Sequence, residues 1–85
     1  MMEYKDVYTE IRKILVDYLR VERNEVKPDT NIIDDLCADS IALVELGFRF
    51  SETFDIPMIE GNSELVIVEN LVDFIHKSIG EQQEV

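Results

Sequence analysis

The stretch Asp34–Leu46, reading DDLCADSIALVEL, holds a serine directly after an aspartate and a cysteine three residues before that serine. A serine nucleophile for hydrolysis needs a base and an oxyanion site. The chain has one histidine, His76, with Asp73 three residues before it, which places the two side by side on a helix and near its solvated side. No GxSxG elbow, phosphate-cradling glycine loop, HExxH or cysteine–histidine cluster is present. The carboxylates Asp29, Asp34, Asp35 and Asp39 lack the spacing of a calcium loop. Hence neither enzymatic catalysis nor metal binding is expected. Two readings of Ser40 stay open on these residues: a plain cap at a helix start, or a carrier of a phosphate ester. The first backbone N–H groups and the dipole of a helix favour the added negative charge of such an ester.

Three amphipathic segments must position these residues. Val7, Ile11, Ile14, Leu15, Tyr18 and Leu19 recur at three- and four-residue spacing and predict a first helix over about Tyr4 to Leu19. Residues from about Arg20 to Asp39 lose that period and include Asn24, Pro28, Asp29, Thr30 and Asn31, a long connection of the kind that usually carries function. Asp39 and Ser40 both favour a helix start, and the second helix should reach about Phe54, before Asp55-Ile56-Pro57. Glu60-Gly61-Asn62-Ser63 supports at most one short helical turn. Val68, Leu71, Val72, Ile75 and Ile79 mark a last helix that stops at Gly80, with residues 81–85 as a frayed tail.

Eighty-five residues make one domain, since a chain of this size buries only roughly 60% of its unfolded surface. No apolar run approaches the roughly 20 residues that cross a bilayer, and the first residues lack the apolar core of a signal peptide. With a single cysteine there is no internal disulfide, so a soluble protein of the reducing cytoplasm is expected. Nineteen acids against eight bases give a net charge of −11, which repels nucleic acid and anionic membrane and suits a basic partner. The imbalance is uneven. Residues 1–30 hold seven acids and six bases, whereas residues 31–85 hold twelve acids against Arg49 and Lys77 alone.

The second helix carries two apolar stripes. Leu43, Leu46, Gly47, Phe50 and Phe54 form one, suited to a core. Ile41, Val44 and Phe48 form another on a neighbouring face, with Glu45 and Glu52 beside it. Periodicity alone leaves open whether this helix is buried on two sides or offers the second stripe, with its acidic rim, to a partner that has apolar pockets ringed by basic residues.

Asp35-Leu36-Cys37-Ala38-Asp39-Ser40-Ile41 followed by Val44-Glu45-Leu46 resembles the phosphopantetheine-attachment motif of acyl carrier proteins, D-L-G-x-D-S-L and then V-E-L. The likeness extends to Asn31-Ile32-Ile33-Asp34, Phe54-Asp55-Ile56-Pro57 and Val72-Asp73-Phe74-Ile75, and so covers nearly the whole chain. It implies an all-α, small four-helix bundle, three main helices plus a short third one, with a long loop between helices 1 and 2. It further implies that a phosphopantetheinyl transferase attaches 4′-phosphopantetheine from coenzyme A to Ser40, and that the arm's thiol carries acyl groups as thioesters. Asp39 would position Ser40 and help bind the transferase's magnesium. Ile41, Val44, Glu45, Phe48 and Glu52 would meet acyl-loading, condensing and modifying enzymes through their basic docking patches. Such a carrier is a monomer, in fatty-acid or specialised lipid or polyketide synthesis. Alternatives are an aminoacyl or peptidyl carrier and an acidic helical adaptor without prosthetic group.

The sequence departs from the motif at three places. Cys37 stands at the usual glycine, so the backbone there either avoids the left-handed region or is strained in it. Gly47, Phe48, Arg49 and Phe50 replace a more aliphatic and acidic stretch, which a carrier dedicated to particular partners would explain. Around Pro57 the alignment needs a gap, and Val66-Ile67 replaces a capping threonine, so a loose third segment, the gate to any acyl chain held inside, and a poorly capped last helix are expected. Self-repulsion at −11 should make the fold sensitive to ions: millimolar divalent cations or added salt are expected to raise the melting temperature. An unchanged or lower value in a thermal scan would remove repulsion as a major destabilising force.

Overall fold

The computed structural model describes residues 2–57, 59 and 63–83, and the regular structure among them is helical. Helix α1 spans Tyr4–Leu19, α2 spans Ser40–Phe54 and α3 spans Val68–Gln83, with single 3-10 turns at Arg23–Glu25 and Ser63–Val66. The expected all-helical bundle is present, but its count of four helices is not confirmed. In place of a short third helix, the described residues hold the turn Ser63–Val66, four residues long and of the tighter i→i+3 kind that short pieces of helix adopt. Glu60, Gly61 and Asn62, where the gate was expected, lie outside the described residues.

Helix α1 is the common neighbour of α2 and α3. It buries Val7, Ile11 and Leu15 completely, one residue per turn along one stripe, and half-buries Ile14, Tyr18 and Leu19 beside them. From α2 come Leu46, Phe50 and Phe54, and from α3 Val68, Leu71, Val72, Ile75 and Ile79. Each fully buried aliphatic or aromatic side chain contributes about 1.5–3 kcal/mol relative to an exposed one, so these stripes hold the helices together. Arg20 (φ 57°) and Asp55 (φ 54°) take the left-handed conformation that ends α1 and α2. At the second of these ends the N–H groups of Asp55 and Ile56 donate to the Ser51 carbonyl, and Ser51 Oγ donates to the Ile56 carbonyl at 2.6 Å. The chain is therefore turned before Pro57 is reached.

Helix α3 does not stop at Gly80. It continues to Gln83, because Gly80 keeps a helical φ and the Glu81-Gln82-Gln83 that follows is good helix material. Glu84 and Val85, the rest of the expected tail, lie outside the described residues.

The connection from α1 to α2 is long but pinned. Val26, Thr30, Ile32, Leu36 and Ala38 are all buried. Ile32 N–H donates to the Val66 carbonyl at 2.8 Å, Val68 N–H to the Thr30 carbonyl at 3.0 Å and Glu69 N–H to the Pro28 carbonyl at 2.8 Å, with Asn31 and Ile67 paired antiparallel between them. The start of α3 is thus capped by loop carbonyls, which corrects the expectation of a poorly capped helix: the acceptors, Thr30 and Pro28, are far away in the chain, where no local capping signal points. Thr30 supports this segment from within, its Oγ1 accepting from Lys27 N–H at 2.8 Å and donating to the Glu25 carbonyl at 3.1 Å. Thr30→Val is expected to destabilise the protein by about 1 kcal/mol, because two part-buried backbone groups lose their partner. Urea unfolding of both proteins checks this, and a shift below a few tenths of a kcal/mol would contradict it.

Candidate functional site

The segment leading to Ser40 is a self-bonded loop. Asn31 Oδ1 accepts from the N–H groups of Ile33 (2.9 Å) and Asp34 (2.8 Å), while Asp35 Oδ2 accepts from Asn31 N–H at 2.8 Å. Cys37 N–H then turns back to the Ile33 carbonyl at 3.1 Å, and Ala38 N–H to that of Ile32 at 3.1 Å. These two bonds accompany a left-handed Cys37, at φ 60°. Of the two alternatives for this position, strain is the one realised: a Cβ in that region costs roughly 1–2 kcal/mol. The Cys37 side chain is exposed, whereas its neighbours Leu36 and Ala38 anchor the loop in the core.

Asp39 is the N-cap of α2, its Oδ1 accepting from Ala42 N–H at 2.7 Å, and Ser40 is the first helical residue. The aspartate therefore performs the capping role that composition allowed to either residue. Ser40 is exposed, and its Oγ has no hydrogen-bond partner among the described residues. The N–H groups of Ser40 and Ile41 are likewise unclaimed there, as the first donors of a helix are unless something caps them. The site thus offers a free hydroxyl beside two free donors at the positive end of a fifteen-residue helix.

Beyond Ser40 the two stripes of α2 separate. Leu46, Gly47, Phe50 and Phe54 are buried and Leu43 half-buried. Ile41 is 72% exposed, Val44 63% and Phe48 55%, with Glu45 and Glu52 exposed beside them. Large apolar side chains this open, on one helix face and in register, leave the second stripe outside the core. Arg49, also exposed, lies with its guanidinium carbon 5.0 Å from the centre of the Tyr18 ring on α1. The sequence offered Ser40, Asp39 and the five residues of the second stripe as candidates; it placed Tyr18 only in the stripe of α1, and Asn31 and Asp35 only within the motif, without their bonding roles. An Asn four residues before an Asp in a loop is a weak local signal for the last two, whereas nothing local pairs Tyr18 with Arg49.

His76 is not assembled with Ser40 into a nucleophile–base pair: Ser40 Oγ is unbonded, and the imidazole lies edge-on to Tyr4, with ring centres 5.9 Å apart. Burial first, then the charges of Asp73 and Glu69, raise the Tyr4 phenol above its ordinary value, so it stays a neutral donor, directed at the Glu69 carbonyl (3.4 Å). An open hollow of about 610 Å³ between α1 and the following turn is lined in part by Tyr8, Arg12, Arg23 and Lys27 and by no residue of α2.

The described residues thus form a small helical fold with an unpaired serine at the start of α2. The family model described as the phosphopantetheine attachment site matches residues 9–60, which include this serine and the whole of α2. Over 70 residues the chain is 36% identical to the acyl carrier protein of Campylobacter lari, an alignment covering 81% of this chain and 91% of that protein. The chain belongs to the acyl carrier protein family; it carries 4′-phosphopantetheine covalently, is not itself an enzyme, and works with a phosphopantetheinyl transferase and biosynthetic enzymes.

The strain at Cys37 is directly measurable. Cys37→Gly is expected to stabilise the fold by up to about 1 kcal/mol, the left-handed penalty less the extra entropy of glycine in the unfolded chain, whereas Cys37→Ala keeps the penalty. Denaturant midpoints under reducing conditions compare them, and a glycine variant weaker than the alanine one would refute the assignment.

Proposed function

We propose that Ser40 is the attachment residue of the 4′-phosphopantetheine arm, and that this chain is a monomeric cytoplasmic carrier, folded as one domain, that presents acyl intermediates to enzymes of fatty-acid or specialised lipid or polyketide synthesis. The observation that carries this reading is the free Ser40 hydroxyl at the start of α2, next to the unclaimed N–H groups of Ser40 and Ile41. Those donors and the helix dipole favour a phosphodiester at Ser40 Oγ. With Asp39 beside it, the position disfavours a free anion, so the diester is held because it is covalent. When bound, the arm supplies a thiol that carries the acyl group as a thioester.

In the transfer from coenzyme A, Ser40 Oγ gives up its proton to solvent or a transferase base and attacks the phosphorus that bears the pantetheine arm; the new P–O bond forms as the pyrophosphate bond of coenzyme A breaks, and adenosine 3′,5′-bisphosphate leaves. Asp39 keeps Oδ1 on Ala42 N–H and thereby fixes the first turn, which leaves its other oxygen for the transferase's magnesium. The self-bonded loop from Asn31 to Ala38 presents the serine without a large ordering cost on docking. Ile41, Val44 and Phe48 are the apolar contacts for partner enzymes, and Glu45 and Glu52 the charges that steer their basic patches, including those of loading, condensing and modifying enzymes. Cargo is chosen by the loading enzyme, and the strong acidity favours acyl over peptidyl carriage.

Incubation with coenzyme A, magnesium and a promiscuous phosphopantetheinyl transferase is expected to add the mass of one phosphopantetheine to the protein and none to Ser40→Ala. Intact-protein mass spectrometry reads the result. No gain with several transferases would instead favour an acidic adaptor without prosthetic group.

A further inference from the structure

Arg49 interrupts an acidic face. It follows Glu45 by four residues and precedes Glu52 by three, so both carboxylates are its neighbours on the surface of α2. Glu45 to Arg49 is, moreover, the favourable direction for a helical ion pair. The guanidinium is not paired with either. Its carbon lies 5.0 Å from the centre of the Tyr18 ring on α1, and among the described residues Arg49 is in no ion pair. Tyr18 is half-buried against the core and forms a fixed platform. A cation over an aromatic face is held there by the ring quadrupole, and a planar guanidinium suits such stacking better than an ammonium. The cation is therefore pre-placed at the α1 edge of the strip Ile41, Val44 and Phe48, while Glu45 and Glu52 stay open to a partner.

A partner surface that is basic throughout meets Glu45 and Glu52 well but sets like charge against Arg49. Because the ring restrains the guanidinium, it cannot swing away without losing that contact. We infer that Arg49, held by Tyr18, is a specificity element of the docking face: the enzyme surface that fits it is basic opposite Glu45 and Glu52 and carries a carboxylate opposite Arg49. Repulsion of the wrong partner and attraction of the right one then come from a single side chain. This inference deepens the carrier reading and rests on it.

The test uses the apo protein and a phosphopantetheinyl transferase whose carrier-binding surface bears only lysines and arginines as charged groups. Arg49→Glu is expected to raise kcat/KM about 3- to 10-fold at low ionic strength, through KM, and the gain should fade at about 0.5 M salt, where charges are screened within a few Å. Tyr18→Leu, which frees the guanidinium, should give part of that gain, and Tyr18→Phe, which keeps the ring, should give none. Reversal of the transferase cations one at a time to Glu should uncover one position where the change helps the Arg49 protein and harms Arg49→Glu, a sign reversal that only direct coupling produces. Equal kcat/KM for the parent and Arg49→Glu at every salt concentration, with normal modification of both, would overturn the inference and leave the carrier reading intact. Absence of any mass gain at Ser40 in all variants would overturn both.

Discussion

The antiparallel bonding between residues 28–32 and 66–69 is the interaction on which the rest of the structure depends. A helix start leaves its first N–H groups without intrahelical acceptors, and a long irregular loop leaves carbonyls and N–H groups of its own. Here each solves the other's problem: the carbonyls of Pro28 and Thr30 cap α3, and the carbonyl of Val66 receives Ile32 N–H. Ile32, buried beside these bonds, fixes the depth of the loop in the core. The self-bonded loop that leads to Ser40 overlaps this span at Asn31 and Ile32, so its position relative to α3 is fixed by the same bonds that Asn31 and Asp35 complete locally.

From that anchor the chain runs through a strained Cys37 into α2, and the strain has a structural return. The left-handed residue lets two consecutive N–H groups fold back onto the Ile33 and Ile32 carbonyls, and it aims the following Asp39 at the first turn of the helix. Ser40 is left with no partner of its own because Asp39 already caps the helix. A serine acting as the cap would have its oxygen engaged by a backbone donor; the Ser40 hydroxyl is left free.

Helix α2 then divides its apolar residues between two environments. Phe50, Leu46 and Phe54 enter the core under α1, while Ile41, Val44 and Phe48 forgo burial and stand in water. A folding domain of this size has little stability to forgo, so this stripe is one that packing of the fold alone does not account for. The charges follow the same division. Residues 31–85 hold twelve acids and two bases, which concentrates negative potential on the part of the chain that contains Ser40.

The spans of α1 and α2, the break after Phe54, the helix start at Asp39-Ser40 and the stripe Val68, Leu71, Val72, Ile75 and Ile79 were all legible in the sequence, because periodicity, capping chemistry and breakers act over a few residues. The motif around Ser40 was legible for the same reason, being contiguous. Four features came only with tertiary structure: which stripe of α2 faces the core, the left-handed turn at Cys37, the loop carbonyls that cap α3, and the placing of Arg49 on Tyr18. Three of them depend on groups far apart in the chain; the turn at Cys37 is local, but a residue with a Cβ leaves both backbone alternatives open until Leu36 and Ala38 are anchored in the core. Two apolar stripes on one helix have the same pattern whether buried or not, and only the arrival of α1 against one of them decides which residues stay dry.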